Sequence, residues 1–297
     1  MDRQRPLKII VNPVAGRGTA AKKLPTLRRQ LADLGCEYQI ELTHRPMEAA
    51  DIANRSAKTG WDTIVAFGGD GTVNEVVNGL IGTDAVLGVL PCGTGNDFSR
   101  SLRIPKDIGA ALRILTRRRT KHVDIGHTRQ RYFINGMGIG FDALVNYESR
   151  RIRGLRGPIL YGVSILRALQ KYTAVEMEVR FNGSRRVGKT YLIAAGNGFS
   201  VGGGFMLTPD ALLDDALFDI CHVDNVSLAT IFRHFRKLFN GKIGTVRQVT
   251  LDRSPNLVVA GRTGMPVHID GEVLTTQARH VEVSLIPSAI QVIGNWN

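Results

Sequence analysis

The sequence predicts an α/β first half, with helices on both faces of a parallel sheet, followed by a β-rich second half. Apolar strand-like runs alternate with helix-like segments over residues 1–125, and beyond that point apolar and polar residues alternate and a tight-hairpin signal occurs. Strand–helix alternation with near-continuous apolar strands implies a parallel sheet buried on both sides. Period-two alternation instead implies antiparallel strands with one covered face.

The strand-like runs of the first half are "LKIIVNP" (7–13), "EYQIELT" (37–43), "DTIVAFGG" (62–69) and "AVLGVLP" (85–91). Between them lie "TAAKKLPTLRRQLADLG", closing on Gly35, "MEAADIANRSAKTG", closing on Gly60, and "TVNEVVNGL". Terminal glycines are the usual helix stop signal. In the second half, "HVDIGHT", "RYFINGMGIG", "AVEMEVRFNGSRRVGKTYLIAAGNG", "ALFDICHVDN" and "MPVHIDGEV" read as strands, with Asn182-Gly183 as a tight turn. Segments 157–172 and 227–240 read as helices.

Composition narrows the class. No run of about 18 apolar residues occurs, and the N-terminus enters an apolar strand without the apolar stretch of a signal peptide. A cytoplasmic protein is expected. Cys36, Cys92 and Cys221 are far apart with no CxxC pair, which argues against a disulfide scaffold or a cysteine metal site. The net charge of +13 favours a polyanionic partner: a nucleotide, a nucleic acid or an anionic membrane. No nucleic-acid motif or basic stripe with interleaved aromatics accompanies it, so nucleic acid is not expected as the partner.

Three glycine-rich turns follow strand ends: "NPVAGRG" (12–18), "GGDGT" (68–72) and "PCGTGND" (91–97). In α/β sheets, ligands bind beyond the carboxyl ends of the strands, where turn and helix amides face outward. Neither the Walker nor the Rossmann spacing is present. Glycine amides, the Thr72 and Thr94 hydroxyls, and the Asn12 and Asn96 side chains could hold phosphate or ribose. Asp70 fits a phosphate only with a divalent cation or water between the anions. Its other reading is a cap of the following helix.

In order along the chain, "VNPVAGRG", "FGGDGTVNEVVNGL", "LPCGTGNDFSR", "TPDALLDDALFDI", "IDGE" and "IPSAIQVIG" resemble the diacylglycerol kinase catalytic family of bacterial soluble lipid kinases. GGDGT alone is shared with NAD kinases and 6-phosphofructokinases; the PxGTxND turn is more specific and extends to sphingoid-base and ceramide kinases. The resemblance implies an NAD-kinase/diacylglycerol-kinase-like α/β domain at 1–125, with the tail 287–297 returning to it. A β-sandwich at 126–286 would carry the metal loop, the DGE element and the lipid site, with catalysis in a cleft between the two.

It further implies ATP-dependent transfer of the γ-phosphate to a lipid hydroxyl, with diacylglycerol as the default acceptor. Phosphatidylglycerol, a sphingoid base or, through GGDG, NAD are the alternatives. Nucleotide contacts carry over to Asn12, Thr43, Gly68, Gly69, Asp70, Gly71, Thr72, Thr94 and Asn96, with Asp70 tied to a magnesium–water network. The "ALLDDALFD" loop resembles the family's magnesium loop, which puts Mg2+ on Asp215 and the carbonyls of Leu212 and Leu217. Ala216 stands where the family usually has glycine, and a positive φ there would strain it. The general base falls on DGE, either Glu272 or Asp270, which share a face if the strand continues. Asp70→Ala is expected to remove on the order of 10² to 10³ in rate while leaving the fold intact.

A membrane-lipid kinase must reach the bilayer. The candidates are Arg150, Arg151, Arg153 and Arg156, and the basic apolar segment 227–240, whose other reading is a helix packed on its own sheet. Peripheral attachment to the inner face of the membrane is expected. A homodimer is possible but unmarked in the sequence.

Overall fold

The protein is described from a computed structural model covering residues 6–129, 131–152, 154–155 and 157–296. Two compact units divide the chain: the first takes Met1–Asp124 with Pro287–Asn297, the second Ile125–Ile286.

The first unit runs β1 (Leu7–Val11), α1 (Ala15–Asp33), β2 (Tyr38–Leu42), α2 (Glu48–Lys58), β3 (Thr63–Gly68), α3 (Asp70–Leu80), β4 (Val86–Pro91), α4 (Asp97–Ser101) and α5 (Ile108–Arg117). Its strands pair in the order β2-β1-β3-β4, all parallel. Every residue of β1 and β3 is buried, as strands covered on both faces must be, whereas β2 at the edge is half-exposed. Val292, near the C-terminus, pairs in parallel with Leu87 and so extends the sheet beyond β4.

Two helices of the first unit escaped the sequence reading. Helix α5 has a side-chain cap, Asp107 accepting from the Ala110 N–H at 2.8 Å, and buries Ile108, Ala111, Leu112 and Leu115. The short α4 starts from Asn96, which adopts left-handed angles.

The strand β5 (Thr120–Thr128) carries the chain out of the first unit. In the second unit follow β6 (Tyr132–Phe133), β7 (Gly136–Gly140), α6 (Phe141–Arg151), α7 (Gly157–Lys171), β8 (Val175–Phe181), β9 (Ser184–Gly196) and β10 (Phe218–Asp224). Next come α8 (Leu228–His234), a 3-10 turn over Phe235–Leu238, β11 (Val249–Ser254), β12 (Asn256–Ile269) and β13 (Glu272–Ile293). The pairings are antiparallel, and the long strands change partners along their length. β9 pairs with β8 through its first half and with β7 and β10 through its second; β12 pairs with β8, β13 and β7. Such partner changes fold one set of strands into packed layers.

The main apolar core holds Phe133, Phe218, Ile220, Val259 and Val267 among others. A second cluster lies between the strands and the helices α6, α7 and α8, around Phe141, Tyr191, Leu192 and Leu207.

The Asn182-Gly183 turn forms as expected: both residues have positive φ (48° and 71°), and Phe181 pairs with Ser184. The helix expected over 227–240 is instead α8 and a 3-10 turn, while α6 was missed altogether. Arg153 and Arg156 of the arginine cluster lie outside the described residues; Arg151 donates to the Tyr147 hydroxyl at 2.9 Å.

Candidate functional site

In the first unit the three glycine-rich turns are tied to one another at the carboxyl ends of β1, β3 and β4. Asn12 Nδ2 donates to Thr72 Oγ1 at 3.1 Å, joining the first turn to the second. Gly69 and Gly93 press backbone against backbone: a Cβ on Gly93 would lie 2.5 Å from the Gly69 Cα. No side chain larger than hydrogen fits that approach.

Asp70 joins the second turn to the third. Its Oδ2 accepts from the Asn96 N–H at 2.7 Å, and its Oδ1 from Asp97 at 2.7 Å and Phe98 at 3.3 Å. The carboxylate therefore caps α4, a helix 26 to 28 residues ahead, and not the helix it begins. Neither sequence reading of Asp70 contained this set of bonds. Asn96 turns inward as well: Oδ1 accepts from the Gly93 N–H at 2.7 Å, and Nδ2 donates to the Gly93 carbonyl at 2.9 Å. Its side chain, buried and used to close the loop, does not point at a ligand as the sequence suggested.

What the turns leave toward solvent are amides and the Thr94 hydroxyl, whereas the expected phosphate contact Thr72 is buried, with its Oγ1 accepting from Asn12. Helix α3 follows Gly69, which offers no side-chain cap to the amides of its first turn. Gly16, Arg17 and Gly18 are all left-handed, at φ of 57°, 57° and 85°. Successive amides in such a run form a concavity that suits an anion. Thr94 is exposed at the tip of the third turn. Thr43 is buried just past β2, its N–H donating to the Val11 carbonyl at 2.9 Å. Uncapped amides at a helix N-terminus together with a left-handed glycine turn are what a polyphosphate needs.

In the second unit, DGE is a hairpin turn. Asp270 and Gly271 have φ of 44° and 78°, and Ile269 pairs with Glu272 across them. The strand does not continue through the motif, so the expectation that Asp270 and Glu272 share one strand face is corrected. Their side chains have different work. The buried Asp270 carboxylate accepts from three backbone N–H groups, of Ile134, Asn135 and Gly136, each at 2.9 Å. Both of its oxygens are committed to holding the 134–136 segment, a poor position from which to take a substrate proton. Glu272 is half-buried, with Oε2 held by Arg131 at 2.8 Å.

The 210–219 loop has Ala216 at φ 62°, the left-handed conformation that glycine would adopt without strain. Asp215 Oδ1 accepts from the Leu217 N–H at 3.2 Å, while its buried Oδ2 has no hydrogen-bond partner. The Asp219 Oδ2 is likewise buried without one. Burial pushes the Asp219 carboxyl above its usual range, against the pull of Arg253. Arg253 stands 3.7 Å from Asp215 and 3.4 Å from Asp219. Unsatisfied carboxylate oxygens fit a hard cation. Among the described residues no group of three or more His, Cys, Asp or Glu side chains converges on a metal position, so a cation there would draw on backbone carbonyls.

A cavity absent from the sequence reading lies beside α6. Phe141, Val145, Ile165, Leu192, Phe205 and Leu207 give it apolar walls, and Asp142 is its one ionisable lining group. The Asp142 Oδ2 is 3.1 Å from Nε2 of the buried His268. A second apolar cavity shares Phe141, Leu192, Leu207 and Leu238 with the first and reaches Tyr191. Burial raises the Tyr191 hydroxyl to about 12 and, with Asp142 adding to it, raises Tyr172 further. The sequence signal was faint: one carboxylate in "GIGFDALV", with its histidine partner 126 residues away.

Comparison with known proteins agrees with this geometry. Residues 6–128 match the diacylglycerol kinase catalytic domain, and residues 135–294 match the YegS C-terminal NAD kinase beta sandwich-like domain. A diacylglycerol kinase of Staphylococcus haemolyticus is 32% identical over 286 residues, covering 93% of this chain and 87% of that protein. A Staphylococcus aureus diacylglycerol kinase is 32% identical over 268 residues, covering 89% and 85%. A crystal structure of a candidate diacylglycerol kinase from Bacillus anthracis superposes with a TM-score of 0.79 at 26% identity, over 99% of this chain and 98% of that one. With its catalytic-domain match in the α/β unit and its sandwich match in the β-rich unit, the chain belongs to the diacylglycerol kinase catalytic-domain family and is a kinase.

Proposed function

We propose that the protein is an ATP-dependent lipid kinase that transfers the γ-phosphate to the hydroxyl of a membrane lipid, diacylglycerol, to give phosphatidic acid. The observation that carries the acceptor is the apolar cavity with a single carboxylate, Asp142, in its wall. At about 90 Å³ the cavity is smaller than a whole-ligand pocket, but apolar walls with one carboxylate suit the part of a lipid where an alkyl chain meets a hydroxyl. The names of the relatives support the same acceptor.

In this reading the first unit holds the nucleotide. Phosphate oxygens meet the amides of Gly68, Gly69, Gly71 and Thr72 at the uncapped start of α3, with the Thr72 and Thr94 hydroxyls donating to them. Asn12 and Thr43 border the same strand ends. Asp70 acts by fixing the third turn, and with it Thr94, through the amides it accepts. Asn96 acts by closing that turn on itself.

Phosphoryl transfer depends on positioning and on neutralising the charge of the transferring group. Glu272, held in place by Arg131, is the base that takes the acceptor proton, and Asp270 keeps the turn that carries Glu272 in shape. Asp215, with the carbonyls of Leu212 and Leu217, would hold Mg2+, which when bound supplies positive charge for phosphoryl transfer. The product and its acceptor both reside in a bilayer, so the enzyme works as a peripheral protein on an anionic membrane face. A labelled-ATP screen over diacylglycerol, phosphatidylglycerol and sphingoid bases, with mass identification of the product, tests this reading. Phosphatidic acid as the main product supports it; phosphorylation of another alcohol alone overturns the acceptor.

A further inference from the structure

We infer that residues 228–239, α8 with its 3-10 turn, form a lid over the two acceptor cavities, and that this lid seats on an anionic lipid bilayer. The inference rests on the lipid-kinase reading and names the surface through which that site is loaded.

The segment has two apolar sides. Ile231 and Phe235 line the second cavity, and Leu238 lines both. Leu228 and Phe232 are 51% and 60% exposed on the outer side, and Phe239, whose ring also touches Phe205, is 50% exposed. Not one residue of α8 or of the 3-10 turn is buried. Packing on the protein's own core explains only the inner stripe, where Ile231 and Leu238 lie partly buried against the second apolar cluster, and leaves Leu228 and Phe232 unexplained. Exposed apolar side chains clustered in this way mark an interaction surface.

Charge selects the occupant. No Asp or Glu occurs between residues 225 and 251, whereas Arg233, Arg236, Lys237, Lys242 and Arg247 all fall there. A second copy of the same face would oppose cations to cations. A nucleic acid would pair with the cations but give Leu228, Phe232 and Phe239 nothing apolar to enter. An anionic bilayer satisfies both, with the rings in the acyl boundary and the cations at the headgroups.

The lid is attached so that it can move. Its inner side is held mainly by apolar packing: Ile231 and Leu238 lie against the second cluster, the Phe205 ring packs on Phe235 at 6.2 Å and on Phe239 at 4.8 Å, and the Met206 N–H donates to the Leu238 carbonyl at 2.6 Å. Gly202, Gly203 and Gly204, preceding Phe205, and Gly241, following the lid, all have positive φ. Glycine at such joints lets the backbone change direction at little cost. Seating the outer rings in the bilayer would part Phe205 from Phe239 and open the cavities toward the lipid.

The test uses the full-length protein, a Leu228→Ser/Phe232→Ser variant and an Arg233→Gln/Arg236→Gln variant. Sedimentation is measured with phosphatidylcholine vesicles, with or without phosphatidylglycerol. Phosphorylation is measured on long-chain diacylglycerol in those vesicles and on a dispersed short-chain diacylglycerol, and molar mass by light scattering. The Leu228/Phe232 variant should bind both vesicles about tenfold or more weakly. The arginine variant should bind only the anionic vesicles more weakly, by about 25-fold at roughly fivefold per cation. Rates on embedded lipid should fall in step, with the short-chain rate unchanged. Unchanged sedimentation overturns the proposal, as does an equal loss on both lipids with binding intact. A dimer that the variants convert to monomer, with vesicle binding unchanged, makes the face a self-interface and overturns it too. If sedimentation shifts as stated while the wild type phosphorylates neither lipid, the docking surface stands and the kinase-acceptor reading fails.

Discussion

Replacing Asp70 with alanine removes the acceptor for three backbone N–H groups, at 2.7, 2.7 and 3.3 Å, on residues that are themselves buried. Loss of a helix cap costs about 1 kcal/mol, and each buried donor left without a partner costs about 1 to 3 kcal/mol. Counting the two short bonds and discounting the long one to Phe98, the variant should lose about 2 to 6 kcal/mol of the first unit's stability. Asp107 provides the internal control: it caps α5 through one exposed bond of 2.8 Å, so Asp107→Ala should cost about 1 kcal/mol. Both tryptophans, Trp61 and Trp296, lie in the first unit. Their fluorescence in urea therefore reports that unit alone, and midpoints compared at a common slope give the difference. A loss for Asp70→Ala no larger than for Asp107→Ala would refute the capping account. The expectation that alanine here spares the fold is therefore replaced: loss of turnover in this variant would combine a missing charge with a loosened turn.

Other consequences follow from the same geometry. Glu272→Gln should lower turnover by about 10² to 10⁴ with unchanged melting, whereas Asp270→Ala, which strands three amides, should lower the melting temperature of the second unit; the reverse pattern would move the base to Asp270. Gly93→Ala, which forces a Cβ to 2.5 Å from Gly69, should cost about 1 to 3 kcal/mol and weaken ATP binding in calorimetry. Burial holds the His222 imidazole below its usual range, against the pull of Asp224. The unfolded histidine takes its proton near pH 6.5 and the folded one only at lower pH, so this contribution to stability is present above about 6.5 and is lost as pH falls below it. Melting at pH 7.5 and 5 should show a larger acid loss for the wild type than for His222→Gln; equal losses would count against it.

How much was legible depends on how far each contact reaches. The buried strands β1, β3 and β4 announce themselves as apolar runs, and Asn182-Gly183 as a turn, because these are local preferences. The helix α5 was equally local, with Asp107 as cap and an apolar stripe behind it, and the signal was overlooked. Asp70 and Asp142 are different. Each is a lone carboxylate whose role is set by a partner 26 or 126 residues away, a distance that no window of sequence spans. Asp270 was marked by the DGE motif, yet its function reversed once the chain turned at Gly271 and aimed the carboxylate at backbone amides. Ala216 stood out only through the family resemblance, as alanine where glycine is usual, and its φ of 62° meets the condition under which strain is expected.

The central claim is transfer of phosphate from ATP to a lipid alcohol. Purified protein is incubated with γ-labelled ATP and magnesium in vesicles containing diacylglycerol, with NAD in a parallel reaction, and the labelled product is identified by mass. The account predicts labelled phosphatidic acid, lost on chelation of magnesium and in Glu272→Gln, and no labelled dinucleotide. Label in NADP, or ATP consumption indifferent to every lipid offered, would contradict it.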